Sequence, residues 1–179
     1  LNGYTFTNSG ARFRAYGNSK ITFYGGKVVD SAEKQFLFTG GSGEDKQLSI
    51  TFRDCEITAD TSFIQLRNGS LAFEDCIVNA NNASVLVTFS YAGVDASLLF
   101  DGCTVNAGNA ILVSIMRNES EAVRNVSIID STVNANGALI KFEDSAKNEN
   151  TVTEIEILGA SKIKCKSFEN ETNTYENTV

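Results

Sequence analysis

The groups best able to do chemistry in this chain are carboxylates, and they recur near one place in a repeated phrase. Asp54, Glu56, Glu74, Asp75, Asp101 and Asp130 all lie within four residues of an apolar-x-Phe or apolar-x-Ile pair. Such side chains offer two chemistries. Oxygen ligands on neighbouring segments could gather Ca²⁺, with Asp54, Asp75 and Asp130 as the candidates. Two carboxylates roughly 6.5–9.5 Å apart could serve as acid and base in inverting glycoside hydrolysis, and neighbouring segments would bring Glu74 and Asp101 near that spacing. Any acidic strip in a repeat offers such a pair, so the spacing alone selects no catalytic residue. Arg53 and Lys141 are the cations a lyase could use as a base, and nothing in their spacing favours either.

Much other chemistry is excluded. The 179 residues contain no histidine, so there is no Ser-His-Asp or Cys-His nucleophile and no H-E-x-x-H metal site. Four cysteines occur without a C-x-x-C pair, which argues against a zinc centre. A net charge of −7 argues against nucleic acid as the main partner. No apolar run approaches the roughly 20 residues of a membrane-spanning helix. The absence of proline suits a chain of hydrogen-bonded strands, where proline removes a ladder donor.

These residues are positioned by an internal repeat. The segments Ile50 to Ala59, Leu71 to Ala80, Leu98 to Ala107 and Val126 to Ala135 align without a gap, and fainter copies begin at Ile21 and Ile155. The starts are 29, 21, 27, 28 and 29 residues apart. Aligned columns keep one chemistry. An aliphatic column (Ile21, Ile50, Leu71, Leu98, Val126, Ile155) is followed two residues later by Phe23, Phe52, Phe73, Phe100, Ile128 and Ile157. A small residue follows (Gly26, Cys55, Cys76, Cys103, Ser131, Ala160), then a β-branched one. Period two with β-branched and aromatic residues means short strands buried on one face. Just before the small column stand Gly25, Asp54, Asp75, Gly102, Asp130 and Gly159, the residues a left-handed bend prefers. A second apolar stretch follows each copy: Phe36 to Phe38, Phe63 to Leu66, Val85 to Phe89, Ile111 to Ile115 and Leu139 to Phe142.

The pattern therefore predicts an all-β parallel solenoid of about six rungs, each burying its inward row only against its neighbours. A leucine-rich repeat is the rival. It would need a further leucine where Gln47, Asn68, Asp95, Val123 and Val152 stand, and a return segment that is often helical. Residues 1–18 read as a covering segment, 19–168 as the rungs, and 169–179 as a polar tail or domain junction. The first residue is Leu1 and no leader pattern follows it, so a mature or excised chain is expected.

Over residues 19–168 the phrase Lys20-Ile21-Thr22-Phe23-Tyr24-Gly25-Gly26-Lys27-Val28 and the recurring F-x-D-C-x-V-x-A rungs resemble the right-handed parallel β-helix of the pectate-lyase-like superfamily. They are similar to β-helix domains of unknown function in secreted proteins of Bacteroidetes-type bacteria. That resemblance implies a secreted or cell-surface bacterial protein with polysaccharide as the ligand class. It implies no activity here. The R-x-P-D-type segment of pectate lyases needs proline, and the N-T-D, D-D and G-H-G segments of polygalacturonase-like hydrolases are missing. The expected function is a non-catalytic module that binds glycan or serves as a structural or adhesive domain, alone or beside other domains of one protein. The alternative is a fragment or divergent member of a lyase or hydrolase.

Three further readings complete the picture. Cys55, Cys76 and Cys103 in the small column, and Cys165 in the column of Ala59, Ala80, Ala107 and Ala135, read as small apolar core residues. Inserts fall between the second stretch and the next strand, where solenoids often bind ligand. Tyr91 and Arg117 are their candidates for sugar stacking and polar contact, and Arg53, Glu74 and Asp101 on the strands complete the candidate ligand-binding set. Five N-x-S/T sequons exceed chance too little to imply glycosylation.

Overall fold

A computed structural model of the chain describes residues 1–10, 13–31, 36–40, 48–83, 85–89, 95–116, 122–144 and 151–169. Every element among them is a strand. The first stretch of each repeat forms β3 (Lys20–Asp30), β5 (Ser49–Ala59), β7 (Gly69–Glu74), β10 (Ala96–Asp101), β13 (Ala122–Ile129) and β16 (Thr151–Leu158). After the bend come β8 (Ile77–Ala80), β11 (Thr104–Ala107), β14 (Thr132–Ala135) and β17 (Lys162–Lys164), while β3 and β5 run straight through it. The second stretch forms β4 (Leu37–Gly40), β6 (Ile64–Leu66), β9 (Val85–Phe89), β12 (Ala110–Met116), β15 (Ala138–Asp144) and β18 (Ser167–Glu169). Near the start lie β1 (Thr5–Asn8) and β2 (Phe13–Tyr16).

Every pairing is parallel, and the registers reproduce the sequence columns: Ile50 pairs with Leu71, Leu98 with Leu71 and Val126, and Ile155 with Val126. The chain is thus a parallel β-solenoid. Among the described residues the helical return of a leucine-rich repeat is absent: the β-branched run Val85-Leu86-Val87-Thr88-Phe89 forms β9 instead. The expected count of six rungs is corrected to about four turns. Six first-wall strands are present, but β3 and β16 are ends. Ile21, Phe23, Ile155 and Ile157 are half-buried there, whereas Ile50, Phe52, Leu71, Phe73, Leu98, Phe100, Val126 and Ile128 are buried.

Inside, the columns become stacks. Phe23, Phe52, Phe73 and Phe100 lie face to face with centroids 4.7, 5.3 and 5.1 Å apart. The bend column is left-handed throughout: Asp54, Asp75 and Asp130 have φ of 52°, 52° and 46°, beside Gly25, Gly102 and Gly159 at 59°, 63° and 65°. Aspartate tolerates this region better than most residues and glycine enters it without strain.

The bend also explains the cysteine column. A left-handed residue breaks the regular ladder, and the next N–H needs an acceptor. Cys76 N donates to Cys103 Sγ at 3.4 Å, Cys103 N to Ser131 Oγ at 2.9 Å, and Ser131 N to Ser161 Oγ at 3.2 Å. Each Sγ or Oγ thus serves the turn before it. Cys55, Cys76 and Cys103 are buried free thiols, as their small-residue column implied, while Cys165 is half-buried on the last turn.

Candidate functional site

Alternation sends every second residue of the first wall outward, and stacking turns those residues into rows. The first outward row is Lys20, Ser49, Ser70, Ser97, Asn125 and Glu154. The second is Thr22, Thr51, Ala72, Leu99, Ser127 and Glu156. The third is Tyr24, Arg53, Glu74, Asp101, Ile129 and Leu158.

Arg53, the candidate lyase base, is therefore consecutive in one row with Glu74 and Asp101, the candidate acid pair. Arg53 Nε donates to Glu74 Oε2 at 2.5 Å, and Nη2 pairs with the same oxygen. Hydrogen bonding to Glu74 and its charge raise the already high pKa of the Arg53 guanidinium. Tyr24, on the turn below Arg53, is 57 % exposed and so offers a ring face to solvent. Tyr24 is not among the sequence candidates because its copy of the repeat is faint. The shared column with Arg53 was the available signal.

The first row floors a groove of about 350 Å³ at the start of β7, β10 and β13, lined by Ser49, Ser70, Ser97, Asn125, Asp95 and Val123. Asp95 ties its wall together: its carbonyl accepts from Gly69 N at 3.1 Å and its Oδ1 from Val123 N at 2.8 Å. Gly69 is required here, because φ is +90° and a Cβ would collide with the Leu48 carbonyl. Behind the groove, Arg124 turns inward between Val123 and Asn125. It is buried and its guanidinium carbon stands 6.0 Å from the Phe89 ring centroid. Desolvation lowers its pKa to about 10, which still leaves it cationic at neutral pH. The groove therefore has a positive charge beneath a hydroxyl-lined floor. An arginine in the column of Gly69 and Ala96 was the sequence signal for it.

Asp54, Asp75 and Asp130 are bend residues. Asp75 fills the space beside Gly102, where a Cβ would come within 2.6 Å of its Oδ1, and Asp130 Oδ1 accepts from Ala160 N at 2.8 Å. Gly102 separates Asp75 from Asp130 along the stack. Among the described residues no three His, Cys, Asp or Glu side chains come together to hold a metal ion. Tyr91 and Arg117 lie outside the described residues. Lys141 is half-buried on β15, in the second-stretch sheet, and shares no row with Arg53, Glu74 or Asp101.

Fold and rows together define a parallel β-solenoid whose first wall carries outward polar rows. No protein-family model matches the chain, and no curated protein does. Among the described residues no helix is long and apolar enough to cross a membrane.

Proposed function

We propose that this chain is a non-catalytic β-solenoid module of a secreted or cell-surface bacterial protein, and that its first wall binds glycan. The observation that carries the reading is the pair of outward rows running along the stack. Tyr24, Arg53, Glu74 and Asp101 run on one side, and Ser49, Ser70, Ser97 and Asn125 on the other. They repeat at the strand spacing of about 4.8 Å. An extended polymer of hydroxyl-bearing units meets on such a wall a regular series of donors and acceptors, with an aromatic face at one end. Sugar rings present an apolar face to an aromatic side chain and hydroxyls to carboxylates, guanidinium and serine. The superfamily resemblance supports polysaccharide as the ligand class by analogy alone.

The alternative, a divergent lyase or hydrolase, would require Glu74 and Asp101 to act as an acid pair. Glu74 is engaged by Arg53, which favours a recognition role for this carboxylate.

Binding is tested by a glycan array of neutral and uronic-acid polysaccharides, followed by affinity electrophoresis of Tyr24→Ala and Arg53→Ala. Retention by at least one polysaccharide, lost in Tyr24→Ala with an unchanged melting temperature, is the expected result. No retention by any glycan would leave the structural or adhesive role. Release of unsaturated or reducing sugar by the wild-type chain, abolished in Asp101→Asn, would overturn the non-catalytic reading.

A further inference from the structure

The two ends of the solenoid are built differently. At the first, β1 pairs with β3 over Lys27–Asp30, and the Phe6 and Phe13 rings pack on Phe36 at centroid distances of 5.9 and 5.5 Å. At the other, β16, β17 and β18 are the outermost strands of their sheets, and among the described residues no strand pairs with their outer edges. Ile155, Ile157, Ile163 and Cys165, which continue the buried columns, are only half-buried there. Leu158 and Phe168 are each 48 % exposed. A strand edge that no described strand pairs with, beside half-buried apolar side chains, is a template for another chain.

The charges on this edge are segregated. The charged outward residues of β16 are Glu154 and Glu156, both exposed, with the apolar Leu158 following them. On β17 they are Lys162 and Lys164, with Lys166 two residues beyond, all exposed. One wall of the edge is acidic and the next is basic, with the bend at Leu158 to Ser161 between them.

We propose that this end docks a second copy of the chain, through a two-fold axis that passes through the bend perpendicular to the stack. Because β16 runs into the bend and β17 runs out of it, the axis lays β16 of one copy antiparallel against β17 of the other. The register that sets Ile155 opposite Ile163 of the second copy also sets Glu154 opposite Lys164 and Glu156 opposite Lys162. By symmetry the same pairs form twice, so the surface complements itself. A two-fold contact closes at two copies, whereas head-to-tail stacking would grow without limit and would meet the aromatic layer at the first end.

Sedimentation equilibrium of the full chain from micromolar to millimolar concentration tests this. The mass is expected to rise from 19.3 kDa towards twice that value and no further. E154K/E156K sets lysine against lysine in both halves of the contact, and K162E/K164E sets glutamate against glutamate. Each is expected to weaken dimerisation at least ~tenfold, four attractive pairs becoming repulsive. An equimolar mixture of the two variants restores opposite charges in both halves and is expected to recover the dimer to within about threefold of wild type. Melting temperature and circular dichroism of each variant separate a folding defect from a lost contact. A monomer throughout the range, growth beyond the dimer, insensitivity to either reversal, or folded variants whose mixture stays monomeric would overturn the proposal.

Discussion

Replacing Phe73 with alanine tests whether the interior is one continuous stack. Phe73 is fully buried, with parallel rings on both sides at 5.3 and 5.1 Å. Its loss combines the transfer free energy of a phenyl ring with the cavity left behind, about 3–5 kcal/mol. Phe23, at the end of the same stack, is half-buried and has one parallel neighbour, Phe52, at 4.7 Å. Phe23→Ala is therefore expected to cost about half as much. Both are measurable against the ~5–15 kcal/mol of a typical domain. At ~2–4 °C per kcal/mol for this size, Phe73→Ala should lower the melting temperature by about 6–20 °C. Urea titration of both variants gives the difference directly. A double-mutant cycle adds the control: Phe73 and Phe100 should couple by ~0.5–1.5 kcal/mol, whereas Phe23 and Phe100, with two rings between them, should be additive. Equal costs at Phe73 and Phe23, or coupling of Phe23 with Phe100 as strong as that of Phe73, would refute a core whose stability is a sum of nearest-neighbour contacts.

Other outcomes follow from the bends and the thiols. Gly69→Ala should cost more than Gly102→Ala in urea titration. The first meets the Leu48 backbone and cannot be relieved, while the second meets the end of the Asp75 side chain, which can swing aside for roughly 1–2 kcal/mol of left-handed strain. Cys103→Ala should cost about 1–3 kcal/mol because it orphans the buried Cys76 N–H, and Cys103→Ser should recover part of that by restoring an acceptor. Burial pushes the Cys55 thiol above its ordinary pKa of 9.0. Above that pH the unfolded thiol has lost its proton and the folded one keeps it, so the unfolded state binds fewer protons and stability falls as pH rises. Cys55→Ala should flatten the fall in urea midpoint above pH 9, and an identical slope in wild type and variant would count against the buried thiol.

The fold was legible because a solenoid writes its tertiary contacts into its sequence. Residues that touch sit in the same column, so Ile50, Leu71 and Leu98 announced their contact by alignment. The left-handed bends were readable for the same reason, since only Asp and Gly fill that column in the six copies. The turn count was less legible. An end strand such as β16 has the same pattern as a middle one, and only the burial of Ile155 against that of Val126 tells them apart. The acceptor role of the small column was hidden too. Size alone accounts for Gly26 and Cys55, the last copy places Ser161 rather than Ala160 in that column, and the N–H that needs Cys103 Sγ is visible only when the bend is built. On the candidate site, Arg53, Glu74 and Asp101 share a column of the alignment and Glu74 and Asp101 were legible as neighbours, but the ion pair between Arg53 and Glu74 was not.

Outward polar rows divide into uniform ones that satisfy themselves and mixed ones that do not, and this division favours the Tyr24, Arg53, Glu74 and Asp101 row of the first wall as the proposed glycan contact. Asn79, Asn106 and Asn134 form an outward row after the bend. There Asn106 Nδ2 donates to Asn79 Oδ1 and Asn134 Nδ2 to Asn106 Oδ1, each at 3.0 Å. A row of identical amides closes on itself, stabilises the stack by about 0.5–1.5 kcal/mol per bond, and has its hydrogen-bonding capacity directed along the solenoid axis. The Tyr24, Arg53, Glu74 and Asp101 row is heterogeneous, and beyond the single Arg53–Glu74 pair no uniform rung-to-rung ladder can form between an aromatic ring, a guanidinium and two carboxylates. Stability selects uniform rows, since identical side chains pack and hydrogen-bond best on their own kind. Recognition requires different groups at different places. Asn106→Ala should therefore lower the melting temperature and leave glycan retention intact, and Tyr24→Ala should do the reverse. If both variants moved both measurements together, the distinction between the two walls would fail.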